Sequence, residues 1–152
     1  MSHITDVRLQ VADLDALAEA CERLGLELKK GQKTYRWYGR FLADSEEGRE
    51  AAKRFDASTF GKCDHAIAVK GDASAYEIGL VSNAEGSYDL LYDGWSSQGR
   101  RLEAAAGAKL SGLRREYAAA VAVNRARAKL KDWKVERQDF PSGAIRLKLR
   151  RR

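Results

Sequence analysis

Alternating apolar and polar positions predict the first elements of the chain. Apolar residues occupy every second position across residues 7–11, the period of two that a half-buried strand shows. They then recur at helical spacing across residues 14–24. Asp13 precedes this helix as a predicted N-cap, and Gly25 follows it at the position where a C′ glycine ends a helix. The pattern therefore predicts a β-α unit at the start of the chain.

The next part of the chain differs in character. Residues 26–28 and 34–38 are expected to be extended, whereas residues 40–62 are polar around a few apolar anchors. A short surface helix is predicted near residues 46–55. We interpret residues 40–62 as a polar insertion within a single domain that spans residues 1–152.

Three more alternating segments follow, at residues 65–69, 76–80 and 88–92, with turn residues between them. Such segments predict an antiparallel meander. A long helix is then predicted, because apolar residues and alanines form one stripe from about Gln98 or Ala104 to Leu130.

Two glycines, Gly107 and Gly112, lie inside this predicted helix. Each costs about 1 kcal/mol relative to alanine in a helix interior, so the sequence leaves open a break or a late start of this helix.

The last two alternating segments, residues 133–137 and 145–149, are joined by a turn that contains Pro141. They predict a terminal hairpin.

The predicted order of elements is β-α-β-(insertion)-β-β-β-α-β-β, without internal repeats. Consecutive strands without intervening helices favour an α+β fold. We therefore expect a largely antiparallel sheet of about six to seven strands, with two main helices packed on one face.

Several short segments together resemble a known family. They are Met1-Ser2-His3-Ile4, Leu24-Gly25-Leu26, Tyr76-Glu77-Ile78-Gly79 and Gly143-Ala144-Ile145-Arg146-Leu147. In these segments the chain resembles the hypothetical plastid and cyanobacterial reading-frame proteins grouped as domain of unknown function 1257, which also occur in tailed phages.

Residues 34–39 and 61–67 look more like the phage branch of that family. The resemblance covers nearly the whole chain except residues 40–60. The family has no established reaction, so the resemblance implies no catalytic residues. A phage context would also allow interference with a host component.

Composition narrows the class of protein. Of the 152 residues, 44% are apolar and 33% are charged, which is typical of a globular domain. No apolar run approaches the roughly 20 residues that span a bilayer, and residues 1–6 lack the features of a signal peptide. Cys21 and Cys63 are too few for a disulfide framework and are expected to be reduced. We expect a soluble cytoplasmic protein without a membrane partner, or one of the host cytoplasm if it is a phage protein.

Charge is distributed unevenly along the chain. Residues 100–152 contain 16 Lys and Arg against 5 Asp and Glu, a net charge of +11, whereas residues 1–99 carry −5. Such asymmetry favours binding to nucleic acid, to another polyanion or to an acidic protein partner. The alternative is that these charges only solvate a helix and a hairpin.

The cations fall on the predicted helix and on the last strand. Because Ile145, Leu147 and Leu149 alternate along that strand, the cations between them are predicted to share the opposite, solvent-facing side. The residues expected to bind nucleic acid or another polyanion are Arg36, Tyr38, Arg40, Arg114, Arg115, Arg125, Arg127, Lys129, Arg146, Lys148, Arg150 and Arg151.

Aromatic residues add a second argument. Arginine is interleaved with rings across residues 35–38, and more tyrosines lie on the predicted meander. Rings on such a sheet can stack bases, at roughly 1–3 kcal/mol per base. The alternative is that they fill the core between sheet and helices. Tyr38, beside Arg36 and Arg40, is the ring that we expect to be exposed.

Other candidate chemistry is weaker. Cys63 and His65 would share one face of a strand, but the chain has too few His and Cys for a structural zinc site. Asp89 and Asp93, with Glu77 as a neighbour, could bind a divalent ion, although such residues more often form the solvated face of a strand.

No catalytic, metal or cofactor site is therefore predicted, and a phosphate loop of the Walker type is also missing. We expect a non-enzymatic binding or accessory protein. The alternatives are an interaction protein for an acidic partner and a small enzyme or redox protein built around Cys63 and His65.

Overall fold

The computed structural model describes residues 4–39 and 46–152. Arg40, and with it the start of the predicted insertion, lies outside the described residues. The elements are β1 (Ile4–Val11), α1 (Leu14–Arg23), β2 (Leu26–Lys30), α2 (Glu46–Arg54), β3 (His65–Val69), β4 (Ile78–Ser82), β5 (Tyr88–Asp93), α3 (Ser96–Ala106), α4 (Ser111–Lys129), β6 (Trp133–Asp139) and β7 (Ile145–Arg151). The predicted α+β class is confirmed.

The strands form two separate antiparallel sheets. Strands β1 to β5 make one sheet in the order β1-β5-β4-β3-β2, while β6 and β7 make a hairpin of their own. Residues 34–38, which were predicted to be extended, are not a strand of either described sheet: Thr34 forms an isolated bridge with Lys62, and the Glu77 amide donates to Arg36 O just before β4. The hairpin is therefore a separate layer of the molecule.

Helices α1, α3 and α4 cover the first face of the five-stranded sheet. Leu17, Leu102 and Leu113 are fully buried there against Leu90 of β5. Burying a leucine side chain contributes roughly 1.5–3 kcal/mol, so this face supplies the main core. None of the helices in the described ranges is long and apolar enough to span a membrane.

Local signals fix the ends of these helices. The carboxylate of Asp13 accepts a hydrogen bond from the Ala16 amide at 3.0 Å and caps α1, as the sequence predicts. The predicted long helix is interrupted between α3 and α4. Gly107 has a φ of 89°, and a Cβ there would lie 2.5 Å from the backbone nitrogen of Gly112. Glycine is therefore required at the break.

The insertion covers the second face of the sheet. Helix α2 occupies the position predicted for it, and its Ala51 is buried together with Tyr35, Phe60 and Leu91. A polar segment with a few apolar anchors thus provides a second, smaller core. As a result the sheet is buried on both faces.

Candidate polyanion-binding surface

An ion pair holds the terminal hairpin against α4. The guanidinium of Arg137 on β6 donates to both carboxylate oxygens of Glu116, at 2.7 and 2.8 Å. The two side chains are only 17% and 14% exposed, and Arg23 of α1 lies 4.0 Å from the same carboxylate. Hydrogen bonds to Glu116, and then to Asp139, raise the pKa of Arg137 above its usual range. The pair therefore fixes the orientation of the hairpin.

The outer face of the hairpin is cationic. The register pairs Arg146 with Gln138, Lys148 with Glu136 and Arg150 with Lys134. Alternation places these three β7 cations on the side opposite Ile145, Leu147 and Leu149, and all three are exposed. The shared solvent-facing side that the sequence predicts is therefore present.

The predicted cations of α4 are exposed as well. Arg114, Arg125 and Lys129 share one side of the helix by their spacing, while Arg127 lies toward α1. The guanidinium of Arg115 lies over the hairpin turn, 3.2 Å from where a Cβ of Gly143 would be. We name this set, with the β7 cations, the helix–hairpin surface. Its members are Arg114, Arg115, Arg125, Arg127, Lys129, Arg146, Lys148, Arg150 and Arg151.

Most of this surface is not neutralised. Of the members of this surface, only Arg150 forms an ion pair within residues 4–39 and 46–152, with Glu136 at 3.4 Å. Arg146 instead lies over the ring of Phe140, 5.1 Å from its centroid. The remaining cations keep their charge available to an external anion.

Two other predicted residues lie on the opposite side of the five-stranded sheet. Arg36 is 3.5 Å from the buried carboxylate of Glu77, which neutralises it. Tyr38 is 44% exposed, as expected, and packs edge-on against Trp95, while its amide donates to Asp93. The structure therefore does not bring Arg36 and Tyr38 together with the helix–hairpin surface.

The other predicted aromatic residues are mainly core. Tyr35, Tyr76 and Tyr92 are buried, and Trp37 packs edge-on against Phe60. The alternative interpretation of these rings as core residues is therefore confirmed for them. They are unavailable for stacking on a base.

Cys63 and His65 do not form a site. The expectation that they share a strand face is wrong, because β3 begins only at His65. Cys63 belongs to the core of the second face and its thiol donates to Gln32 O, whereas His65 contacts Tyr88 toward the first face. Burial raises the pKa of Cys63 to about 11, which disfavours a reactive thiolate.

The carboxylates expected on a solvated strand face are buried. Glu77, Asp89 and Asp93 are 3%, 7% and 0% exposed, because residues 32–38 and the described part of the insertion cover that face. The carboxylate of Asp93 accepts hydrogen bonds from the amides of Tyr38 and Trp95.

Glu77 and Asp89 also have partners. Glu77 accepts from the Arg36 amide and from the side chain of Gln32, and Asp89 lies 3.8 Å from Arg54. Asp89 thus ties the insertion to the sheet, whereas Glu77 and Asp93 tie residues 32–38 to it. No group of three or more His, Cys, Asp or Glu in the described part of the chain is arranged to hold a metal ion.

Comparisons with protein-family models, with curated proteins and with solved structures give no match to this chain. The resemblance to the family of domain of unknown function 1257 therefore stays a prediction.

Proposed function

We propose that this protein is a non-enzymatic binding protein whose helix–hairpin surface binds the phosphate backbone of nucleic acid. The observation that carries the proposal is the set of exposed cations on α4 and β7, of which Arg150 alone has a carboxylate partner in the described chain. Cations of this kind release counterions from a nucleic acid when they meet its phosphates, which favours binding.

The rigidity of the surface supports the same function. The Glu116–Arg137 pair fixes the hairpin on α4, so Arg146 and Lys148 keep a constant spacing from the helix. A preorganised set of cations loses less side-chain and backbone freedom on binding than a disordered basic tail does. Contacts to phosphates carry no sequence information, so we expect affinity without strong sequence preference.

The test is a salt titration of binding to single-stranded RNA, single-stranded DNA and duplex DNA, with heparin as a nonspecific polyanion. We expect binding that weakens steeply with salt, and preference for one nucleic acid over heparin. Each lost phosphate contact lowers the slope of log affinity against log salt by about 0.7 for a single strand. Arg146→Ala/Lys148→Ala should therefore reduce the slope by about 1.4.

A matched control removes the same charge elsewhere. Lys30 and Arg101 are exposed cations that already pair with Asp15 at 3.6 Å and Asp72 at 2.9 Å. Lys30→Ala/Arg101→Ala changes the net charge equally but should leave the slope within error of the parent protein. Equal slopes for the two double variants, or an absence of binding at low salt, would contradict the proposal.

The last three arginines provide a second test. Arg150 and Arg151 belong to β7, and the Arg152 amide donates to Asp132 O, so backbone bonds do not depend on these side chains. Arg150→Ala/Arg151→Ala/Arg152→Ala should leave the fold intact, lower affinity and flatten the salt dependence. Unchanged binding would show that these three arginines do not contribute to the binding surface.

A further inference from the structure

The β7 strand has an edge without a pairing strand in the described chain. Phe140 N donates to Ala144 O at one end of the hairpin, and Arg152 N donates to Asp132 O at the other. Hydrogen-bonded and non-hydrogen-bonded pairs alternate along an antiparallel pair. The even-numbered residues of β7 therefore bond to β6. Ile145, Leu147 and Leu149 direct their N–H and C=O groups away from it.

This edge borders an apolar groove. The groove has a volume of about 300 Å³ and is lined by Arg115, Ala118, Ala119, Ala122, Ile145 and Leu147. Ala118 and Ala122 are exposed on α4, and their small side chains leave space above the helix beside β7. An extended segment that paired with β7 would place every second side chain in this space.

The surroundings of the groove are cationic on both sides. Arg114, Arg125 and Lys129 lie on the exposed side of α4, and Arg146 and Lys148 lie on β7. The carboxylates of α4 and β6 already have partners: Glu116 and Asp139 bond to Arg137, and Glu136 pairs with Arg150. Charge complementarity therefore requires an acidic occupant.

A second copy of the chain fits poorly. Antiparallel pairing of β7 with the β7 of another copy would place cationic side chains opposite one another on the shared outer face, which is destabilising. A two-stranded hairpin is itself marginal in stability, so a third strand of opposite charge would strengthen it.

We propose that the edge of β7 and the alanines of α4 form a docking site for an acidic, extended segment of a partner protein, added as a third strand beside β7. The proposal goes beyond nucleic-acid binding. It uses the backbone groups of Ile145 and Leu147 and the groove, whereas phosphates need only the outer cations.

The probe is a labelled peptide as long as β7, seven residues, with alternating glutamate and valine. An all-glutamate peptide of equal length tests charge alone, and a lysine–valine peptide tests the apolar pattern alone. We expect the glutamate–valine peptide to bind about tenfold more tightly than either. Equal binding of the all-glutamate peptide, or absence of binding of the glutamate–valine peptide, would overturn the proposal.

Two variants test the groove and the edge separately. Ala122→Phe fills the groove without a change in charge, and Ala128→Phe at another exposed α4 position is its matched control. Leu147→Pro removes the outward N–H and no bond to β6, while Leu147→Ala shortens the same side chain and keeps the N–H.

We expect Ala122→Phe and Leu147→Pro to weaken binding of the glutamate–valine peptide about tenfold relative to their controls. Binding of RNA by Ala122→Phe should equal that of the parent protein, which separates this site from the phosphate-binding face. If Ala122→Phe, shown to be folded by circular dichroism, binds the peptide as the parent protein does, the groove is not the docking site. This test of the groove remains valid even if Leu147→Pro disrupts the hairpin.

Discussion

Replacement of Arg137 by alanine should release the terminal hairpin from the body of the protein. The guanidinium makes two hydrogen bonds to Glu116, and β6 and β7 contact only a limited part of α4. Two-stranded hairpins are marginally stable in isolation. The orientation of the hairpin therefore depends strongly on this pair.

The expected magnitude lies between two limits. Exposed ion pairs contribute about 0.2–1 kcal/mol, whereas removal of one partner of a fully buried pair costs about 3–5 kcal/mol. Arg137 and Glu116 are 17% and 14% exposed and share two short hydrogen bonds. We expect Arg137→Ala to cost about 2–3 kcal/mol, with most of the loss arising from the Glu116 carboxylate left without its main partner. Glu116→Gln keeps a neutral acceptor and should cost less.

The assay is a double-mutant cycle of Arg137→Ala and Glu116→Ala, measured by urea unfolding and by amide hydrogen exchange. A coupling energy of about 2 kcal/mol is expected. Where the hairpin opens by itself, the loss appears as faster exchange of the Arg146 and Lys148 amides rather than as global unfolding. A coupling below about 0.5 kcal/mol, together with unchanged exchange at those amides, would refute the argument.

Three other predictions concern buried residues. Gly79→Ala should destabilise the protein by about 1–3 kcal/mol in urea unfolding, because the new Cβ would meet the Tyr35 ring; an unchanged midpoint would contradict this packing. Tyr35→Phe should raise the melting temperature, because the buried hydroxyl of Tyr35 has no hydrogen-bond partner among residues 4–39 and 46–152 and its removal relieves about 1 kcal/mol; a lower melting temperature would show that the hydroxyl is satisfied. Burial raises the pKa of Cys21 and Tyr35 to about 12 and that of Cys63 to about 11. The unfolded chain therefore loses these protons first, and the free energy of unfolding should fall as the pH rises from about 9. A smaller fall in Cys21→Ala/Cys63→Ala would confirm the assignment to the thiols, and an identical fall would exclude them.

Local sequence signals predicted the elements that depend on neighbouring residues. Asp13 and Gly25 mark the two ends of α1 because capping needs only the residues at a helix end. Gly107 likewise indicated the break between α3 and α4. The outward cations of β7 followed from alternation alone, because one face of that strand packs on α4.

Features that depend on distant residues were not predictable in the same way. Glu77 looked like a residue of a solvated face, but its partners come from a loop about forty residues earlier, as in its bond to the Arg36 amide, 41 residues apart. Alternation shows that one face of the strand is polar, but it does not show that a segment distant in sequence covers that face. Arg36 was grouped with the C-terminal cations because of its charge. The fold shows that Arg36 lies on the other side of the five-stranded sheet from those cations.

The same ion pair determines the geometry of both proposed surfaces. The distance from the β7 cations to those of α4 is fixed only while Arg137 holds Glu116, and so is the width of the groove beside Ala118 and Ala122. Phosphate contacts would lose the advantage of preorganised cations but would still form, because a nucleic-acid strand can adjust to a change in spacing, whereas a third strand needs the edge of β7 and the surface of α4 in fixed register. Loss of the pair should therefore impair peptide docking more severely than RNA binding. This difference separates a surface that acts through charge alone from one that acts through shape.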